Sequence, residues 1–475
     1  MADGPFIYRF GKDLRLDDHA GLAAASSRGA VLPLLAVDPP MEARLRASPR
    51  RAAFFCGAVR ALDEELRERG SRLIVRRAGA EAAVLGLARE AGAAGAAWSA
   101  SYDDAGMRRD ESLREALERA GLQAVVVHDS PAVAPEESAG ARSAEGPGYR
   151  AFSPYFEVWR ELPIASHESP LLLRFAGEEI DNEGLPHPAE FGVGDPPGGG
   201  GSAVARRLFA TFLRERAPQY AIDANVPAED GTSGLSAHLS FGTISARSIA
   251  LAVRGRLADP FSIGEQRLSM RLFLRALAHR DFFLQLSWFN PQTHDEPLQG
   301  KMRGFRWERS HAGLDAWRAG ATGFPLVDAG IRQLHRTGWM HPHVRAVAAS
   351  TLCFDLGVDW RVGRAEWDRW LIEDDPAIAT GNWQWIAGVG ADMAQYPRIY
   401  NPERQLRRYD PAGLYVRRWI DELRGVPLEA WQPRAKSTGQ LRLALFAEGE
   451  YPPPVVDHAV AARSFLRRYR EFVSP

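Results

Sequence analysis

Three stretches in the second half of this chain hold side chains whose types and spacing could do chemistry. GTSGLSAHLSFGTIS (231–245) surrounds glycines with small hydroxyl residues, a composition that can turn backbone N–H groups and hydroxyls toward an anion at a helix start. The same residues also serve as helix caps and turns. GWMHPHVRAVAAS (338–350) places Arg345 on a helix of small residues, where a buried guanidinium requires an acid or an anionic ligand. In the third stretch, Glu373, Asp374 and Asp375 lead into PAIATGNWQW, a small-residue loop with Asn382 at a turn and Trp383 and Trp385 flanking a glutamine. Those indoles are either core filler or the wall of a cofactor site. His335, His341 and His343 match no metal-ligand spacing, so no metal site is expected.

These stretches need a scaffold, and 475 residues imply two domains or more. Residues 1–130 alternate short apolar runs with amphipathic stretches. FIY (6–8), VLPLLAV (31–37), RLIVRR (72–77), AAGAAWS (93–99) and AVVVHD (124–129) read as buried strands, and residues 48–70 and 80–92 read as helices. Strands alternating with helices predict a doubly wound parallel α/β domain. No Gly-x-Gly-x-x-Gly follows its first strand, so a dinucleotide site is not expected there. Residues 131–204, rich in Pro, Gly, Ser and Ala, read as a surface connector, mobile near 194–202. From 205 to 475 the apolar period is helical, which predicts an all-α domain without internal repeats.

With 45% hydrophobic and 25% charged residues the chain has the composition of a soluble globular protein. No window approaches 18 uninterrupted apolar residues, so no membrane span or membrane partner is expected. Charges occupy the N-terminus where a signal peptide needs its apolar stretch, and Cys56 and Cys353 show no ligand spacing; both point to the cytoplasm. A net charge of −1 gives no global pull toward nucleic acid, but Arg clusters at RQLRRYD, YVRRW and FLRRYRE leave a local basic face open.

The ordered motifs of the chain resemble those of the photolyase/cryptochrome family along nearly its whole length. FGKDLRLDD (10–18), GTSGLSAHLSFGTISAR, FPLVDAGIRQLHRTGWMH (324–341), GNWQW, YPRIYNP, RRYDPAGLYVRRW and YPPPVVDH carry the resemblance. It implies an N-terminal α/β domain, a connector and a C-terminal helical domain binding FAD. It also implies that Trp383, Trp360 and Trp307 form an electron relay from the flavin to the surface. Tyr220, Thr232, Ser233, Gly234, Leu235 and Ser236 match positions that hold the diphosphate and ribityl chain. Arg345, with Glu373 as its acidic partner, and Asp375 match positions beside the flavin ring, where they would stabilise developing negative charge.

Departures from the family concentrate at the substrate pocket. Ala276 stands where cyclobutane-dimer photolyases have a Glu, His279 where they have a Trp, and Arg280 is kept. Pro342, His343 and Ala346 replace Asn, Arg and Met; in (6-4) photolyases a His pair maps to Pro342 and Ala346, so that chemistry lacks its acid as well. Ala224 stands where the family has a DNA-contacting Arg, and Ala379 stands at the position that faces flavin N5 in the family, with a methyl that cannot donate a hydrogen bond. His279, His343 and Trp385 could line the altered cavity, with His279 either neutral or a proton donor near pH 6–7. Ala105 and Gly106 stand where folate-using relatives have Asn and Glu, so a folate antenna is not expected; a deazaflavin or flavin antenna stays open.

The leading expectation is a blue-light-absorbing FAD protein, photoreduced through its tryptophans, whose DNA-repair pocket is lost: a cryptochrome-like photoreceptor or redox protein with a protein or small-molecule partner. The alternative is a deoxyribodipyrimidine photolyase with a rebuilt pocket that repairs UV-damaged DNA. A third reading is a flavoenzyme acting on a small molecule.

Overall fold

Five apolar runs near the N-terminus pair into one parallel sheet in the computed structural model of the protein. The structure describes residues 4–139, 148–167, 180–194, 199–260, 264–308, 312–391, 396–431 and 451–473. The strands are β1 (Phe6–Phe10), β2 (Val31–Ala36), β3 (Ile74–Arg76), β4 (Gly95–Ser99) and β5 (Gln123–Val127), in the order β3-β2-β1-β4-β5. All five lie within or overlap the runs expected from sequence. The inner strands are covered on both faces, which is why they read as unbroken apolar stretches instead of alternating ones. Alternate side chains serve two cores. Phe6, Tyr8, Phe10, Val31 and Leu35 pack with Phe55, Val59 and Leu62 of the helix Pro49–Arg67. Ile7, Leu32, Leu34, Ala96 and Trp98 pack with Val84 and Leu87 of Ala80–Ala91 and Leu113 and Leu117 of Asp104–Arg119. Pro33 is tolerated in β2 because β3 pairs only with Leu34–Ala36, leaving the ladder one-sided at the proline.

A charged network is buried beyond the carboxyl ends of β1, β4 and β5. Asp129 accepts from Arg15 Nη2 at 2.6 Å, Arg247 Nη2 at 2.7 Å and the Ala20 N–H at 2.9 Å. Burial alone would raise the Asp129 pKa, but Arg15, His19 and Arg247 outweigh it and hold the carboxyl well below its ordinary range. Asp13, His19 and Asp129 bring metal-type donor atoms within 4.8 Å of one another, yet two guanidiniums already occupy Asp129.

Two compact units divide the chain: Met1–Tyr220, Ser233–His294 and Ile372–Ile378 form one, and Ala221–Thr232, Asp295–Leu371 and Ala379–Pro475 the other. In the stretch 131–204, helices Pro135–Ala139 and Phe152–Trp159 are present; of the stretch 194–202 expected to be mobile, residues 195–198 lie outside the described residues.

Beyond residue 205 the described residues contain no strand, only an isolated bridge between Glu308 and Val358. The expected helices are present as Ser202–Thr211, Ala246–Ala258, Gly264–Phe289, Pro325–Thr337, Pro342–Ser350 and Trp360–Trp370. Those at 202–211 and 342–350 each run into a π-helical turn, Phe212–Arg216 and Thr351–Asp355. The core of the second unit is aromatic and aliphatic, with Trp317, Trp360, Trp367 and Trp383 among Val344, Val347, Leu352 and Phe354. Asp328 fixes the start of Pro325–Thr337 by accepting from Thr322 N, Thr322 Oγ1, Gly323 N and Tyr451 Oη. No helix among the described residues is long and apolar enough to cross a membrane.

One expectation is corrected. Residues 376–385 are not a loop with Asn382 at a turn; Pro376–Ile386 is a continuous helix. Proline at its first position pre-sets the backbone φ and needs no N–H partner there. On a helix, residues two apart point to different sides, so Trp383 and Trp385 cannot flank one ligand as a pair. Trp383 is buried and Trp385 half-buried.

Candidate flavin site

In the first unit the hydroxyl-rich stretch divides its labour. Ser233 Oγ accepts from Leu235 N, Ser245 Oγ caps Ala246–Ala258 through Arg247 N and Ser248 N, and Thr243 Oγ1 meets His238 Nδ1 at 2.8 Å. These are capping and turn roles. The hydroxyls of Ser236 and Tyr220 form no hydrogen bond among the described residues, and neither does that of Thr232 in the second unit. Gly234 takes φ +68°, which a side chain would strain. Tyr220 packs edge-on to Phe273, ring centroids 5.3 Å apart, and burial pushes its pKa up.

The acids Glu373, Asp374 and Asp375 are tied to the α/β layer. Asp374 Oδ2 lies 3.1 Å from Lys12 Nζ, its Oδ1 pairs with Arg44 Nη2, and Arg51 Nη1 stands 3.9 Å away. The Asp374 N–H donates to Ser240 Oγ at 2.7 Å, and Arg51 Nη2 donates to the Glu373 carbonyl at 3.1 Å. Desolvation lowers the Lys12 pKa to about 8 against the pull of Asp375 and Asp103. This clasp was not expected from sequence, since its partners are more than 300 residues apart; an Asp beside two other acids was its only local sign.

The second unit holds Arg345, Ala379 and the tryptophans. Arg345 Nε donates to the Met340 carbonyl at 2.8 Å. Trp383 is 2% exposed; its ring meets Trp367 at 4.4 Å between centroids and lies over Gly363, where an added Cβ would stand 2.2 Å from Trp383 Cη2. Trp360 is fully buried beneath the guanidiniums of Arg361 and Arg364, at 4.7 and 5.2 Å from its ring centroid. Trp307 is half-buried, against Phe305 and Phe465. All three relay candidates therefore lie in or against one apolar cluster. Trp367 was not singled out from sequence, although its spacing of seven from Trp360 puts both on one side of a helix.

At the altered pocket positions, the first unit sets His279 among Phe152, Phe283 and Phe282, ring centroids at 4.3, 4.8 and 6.0 Å. Burial, helped by the nearby Arg275 charge, lowers its pKa to about 4, so the option of a proton donor near pH 6–7 is corrected: His279 is neutral. Arg280 Nη1 donates to the Ser130 carbonyl and Nη2 to Ser130 Oγ and the Leu239 carbonyl, which fixes the helix Gly264–Phe289 to residue 130. Ala276 is on the same helix. In the second unit Pro342 opens the helix Pro342–Ser350, which also carries Ala346. His343 rests on Tyr409, centroids 3.6 Å apart, with Nε2 3.4 Å from Gln405 Oε1. Arg408 covers the Tyr409 ring at 5.1 Å, Arg404 and Arg407 are exposed on the same helix Pro402–Tyr409, and Arg398 lies over Trp385 at 5.8 Å.

An α/β sheet, helices with a hydroxyl-bearing turn, anchored acids and buried indoles fit a flavoprotein; among the described residues the hydroxyls of Tyr220 and Ser236 in the first unit have no hydrogen-bond partner and suit a diphosphate or ribityl chain. A family model described as "FAD binding domain of DNA photolyase" matches residues 273–471, and one described as "DNA photolyase" matches residues 6–171. The deoxyribodipyrimidine photo-lyase of Halobacterium salinarum is 34% identical over 469 residues, covering 94% of this chain and 95% of that one. Among solved structures, a class III photolyase from Agrobacterium tumefaciens superposes with TM-score 0.85 at 28% identity, covering 99% of this chain and 98% of that one. A Synechocystis cryptochrome does so with TM-score 0.85 at 25% identity, covering 98% and 100%. The chain belongs to the photolyase/cryptochrome family and is an FAD-binding member of it.

Proposed function

We propose that this protein is a deoxyribodipyrimidine photolyase with a rebuilt substrate pocket, working in the cytoplasm on UV-damaged DNA. The observation that carries the reading is the place of His343: its ring rests on Tyr409, on a helix that exposes Arg404, Arg407 and Arg408. Stacked planar rings beside guanidiniums suit an unstacked base and its phosphates. The full-length likeness to proteins named deoxyribodipyrimidine photo-lyase supports it. In this reading residues 1–130 form the antenna-type domain, 131–204 the connector and 205–475 the flavin and DNA domain.

Bound FAD would supply blue-light absorption and the electron that splits a pyrimidine dimer. The chain's own residues do the rest. Tyr220, Thr232, Ser233, Gly234, Leu235 and Ser236 would hold the diphosphate and ribityl chain, while Arg345, Glu373 and Asp375 would stabilise charge at the ring. Trp383, Trp360 and Trp307 feed electrons inward. In the first unit Arg280 fixes the helix that carries Ala276, and in the second His343 and Trp385 offer stacking surfaces in place of the polar groups missing at Pro342, Ala346 and Ala224. An antenna, if one is carried, is of the deazaflavin or flavin type, since Ala105 and Gly106 offer no amide or carboxylate.

The second reading, a repair-silent photoreceptor or redox protein with its own protein or small-molecule partner, is favoured by the methyl of Ala379 and by the apolar Ala276 and Pro342. One assay separates the two. Reduced protein is illuminated with dimer-containing oligothymidine, and intact thymine is followed. Light-dependent recovery supports repair; retained FAD with no recovery supports the photoreceptor.

A further inference from the structure

We propose that Tyr102 is a redox-active tyrosine, which drains one-electron oxidation from the adjacent Trp288 ring by passing its phenolic proton to His128 as it gives up an electron. The site lies wholly in the first unit, and its chemistry needs neither flavin nor DNA. Tyr102 Oη stands 2.7 Å from His128 Nδ1, and His128 Nε2 stands 3.0 Å from Glu136 Oε2. Tyr102 is 6% exposed and the Glu136 side chain 52%, so the three groups run from an interior phenol to the surface. Trp288, half-buried, meets both rings, its centroid 5.8 Å from that of Tyr102 and 4.8 Å from that of His128.

The direction of each hydrogen bond follows from the partners. A carboxylate only accepts, so Glu136 fixes the imidazole N–H on Nε2 and leaves the Nδ1 lone pair for the phenol. Burial lowers the His128 pKa against the pull of Glu136, and burial aided by the charge of Asp281 raises that of Tyr102. The resting pair is therefore a phenol donating to a neutral imidazole. Ser287 Oγ donates to the Tyr102 carbonyl at 2.5 Å, and Leu284 and Ala377 pack in one apolar cluster with Tyr102. In such surroundings a phenol gives up an electron only if its proton leaves too, because a lone positive charge there is costly. His128 takes that proton beside a carboxylate, which stabilises the imidazolium.

The steps balance. A one-electron oxidant of the peroxyl-radical class takes an electron from Trp288. Tyr102 gives one electron to the oxidised indole; its O–H bond breaks, and the proton forms an N–H bond at His128 Nδ1. The products are an intact indole, a neutral phenoxyl radical and an imidazolium paired with Glu136. A small thiol then returns one electron, losing its own proton to water and becoming a thiyl radical, and His128 hands its proton back to the phenolic oxygen.

The test is pulsed oxidation of the full-length protein by azidyl radicals in the dark, with indole and phenoxyl radicals followed by absorbance and electron paramagnetic resonance. In wild type a phase of indole-radical decay should coincide with phenoxyl growth. Tyr102→Phe and Trp288→Phe should each lose that phase. His128→Ala should slow it about 100-fold, the lower end of what a positioned base contributes, and added imidazole should restore it. Glu136→Gln, at an exposed position, keeps the fold safe and should slow the phase by a smaller factor. Thermal unfolding of each variant separates lost chemistry from lost structure. If Tyr102→Phe keeps the phase at wild-type yield, or if His128→Ala and Glu136→Gln both run at the wild-type rate, the redox site is overturned.

Discussion

Gly363→Ala tests whether Trp383 is held where the site needs it. A Cβ built on Gly363 lies 2.2 Å from Trp383 Cη2, 2.7 Å from Trp383 Cζ3 and 2.4 Å from Leu352 Cδ2. Two of these atoms belong to a rigid indole and the third to a fully buried leucine, so the indole must tilt or the helix must shift. Overpacking of this kind costs about 1–3 kcal/mol. Alanine returns up to about 1 kcal/mol of helix propensity. A net loss of roughly 1 kcal/mol remains, which lowers Tm by about 2–4 °C in a domain of this size. Gly86, in the helix Ala80–Ala91, is the control, because a Cβ there meets nothing within 4 Å. Gly86→Ala should stabilise by about 0.5–1 kcal/mol. Thermal unfolding followed by indole emission and flavin release reads both variants. If Gly363→Ala matches Gly86→Ala in stability and leaves indole emission and flavin retention unchanged, the packing argument for Trp383 is wrong.

Asp129→Asn should cost about 3–5 kcal/mol, because Arg15 and Arg247 are left buried with half of their neutralising charge gone; urea unfolding checks this, with the exposed Arg206–Asp17 pair as a control near zero. Asp281 accepts from Ala132 N, Val133 N and Trp159 Nε1 through one oxygen, and burial pushes its pKa up to about 6 against the opposing Arg280 charge. Because that value stands above the unfolded one near 3.9, the folded state holds the proton more tightly, and stability should fall on the order of 3 kcal/mol as pH rises from about 4 to 6. Asp281→Asn should flatten that slope in urea titrations, and an unchanged slope would assign it elsewhere. If Arg404 and Arg407 meet phosphates, replacing both by Gln should reduce the salt dependence of duplex binding by about 1.8 in the log–log slope; an unaltered slope would remove this helix from the DNA face.

The sheet was readable because buried parallel strands leave little choice but Val, Leu, Ile and Ala, as in VLPLLAV; AVVVHD was expected to be buried too, but as the edge strand β5 it is half-exposed and was legible only through its β-branched valines. The long helices were readable for a similar reason, their apolar period being set by a one-sided core. The helix Pro376–Ile386 was not. Thr380, Gly381 and Asn382 have weak helix propensity, and packing of Trp383 and Ile386 in the core overrides them. Motif resemblance proposed the flavin-side residues, but no local pattern could reveal the partners of Asp374, because Lys12, Arg44 and Arg51 meet it only after folding. His279 shows the limit in the other direction: its residue type suggested titration, and only the surrounding phenylalanines show why it stays neutral.

The clasp on Asp374 also constrains how the chain is made. The first unit is assembled from three separate stretches, the last of them Ile372–Ile378. During vectorial synthesis Lys12, Arg44 and Arg51 emerge long before Asp374, so this clasp cannot close until the ribosome has passed residue 378. Any fragment ending at residue 294 lacks Asp374 beside Lys12, Arg44 and the buried Arg51, and is a poor choice for producing that layer alone.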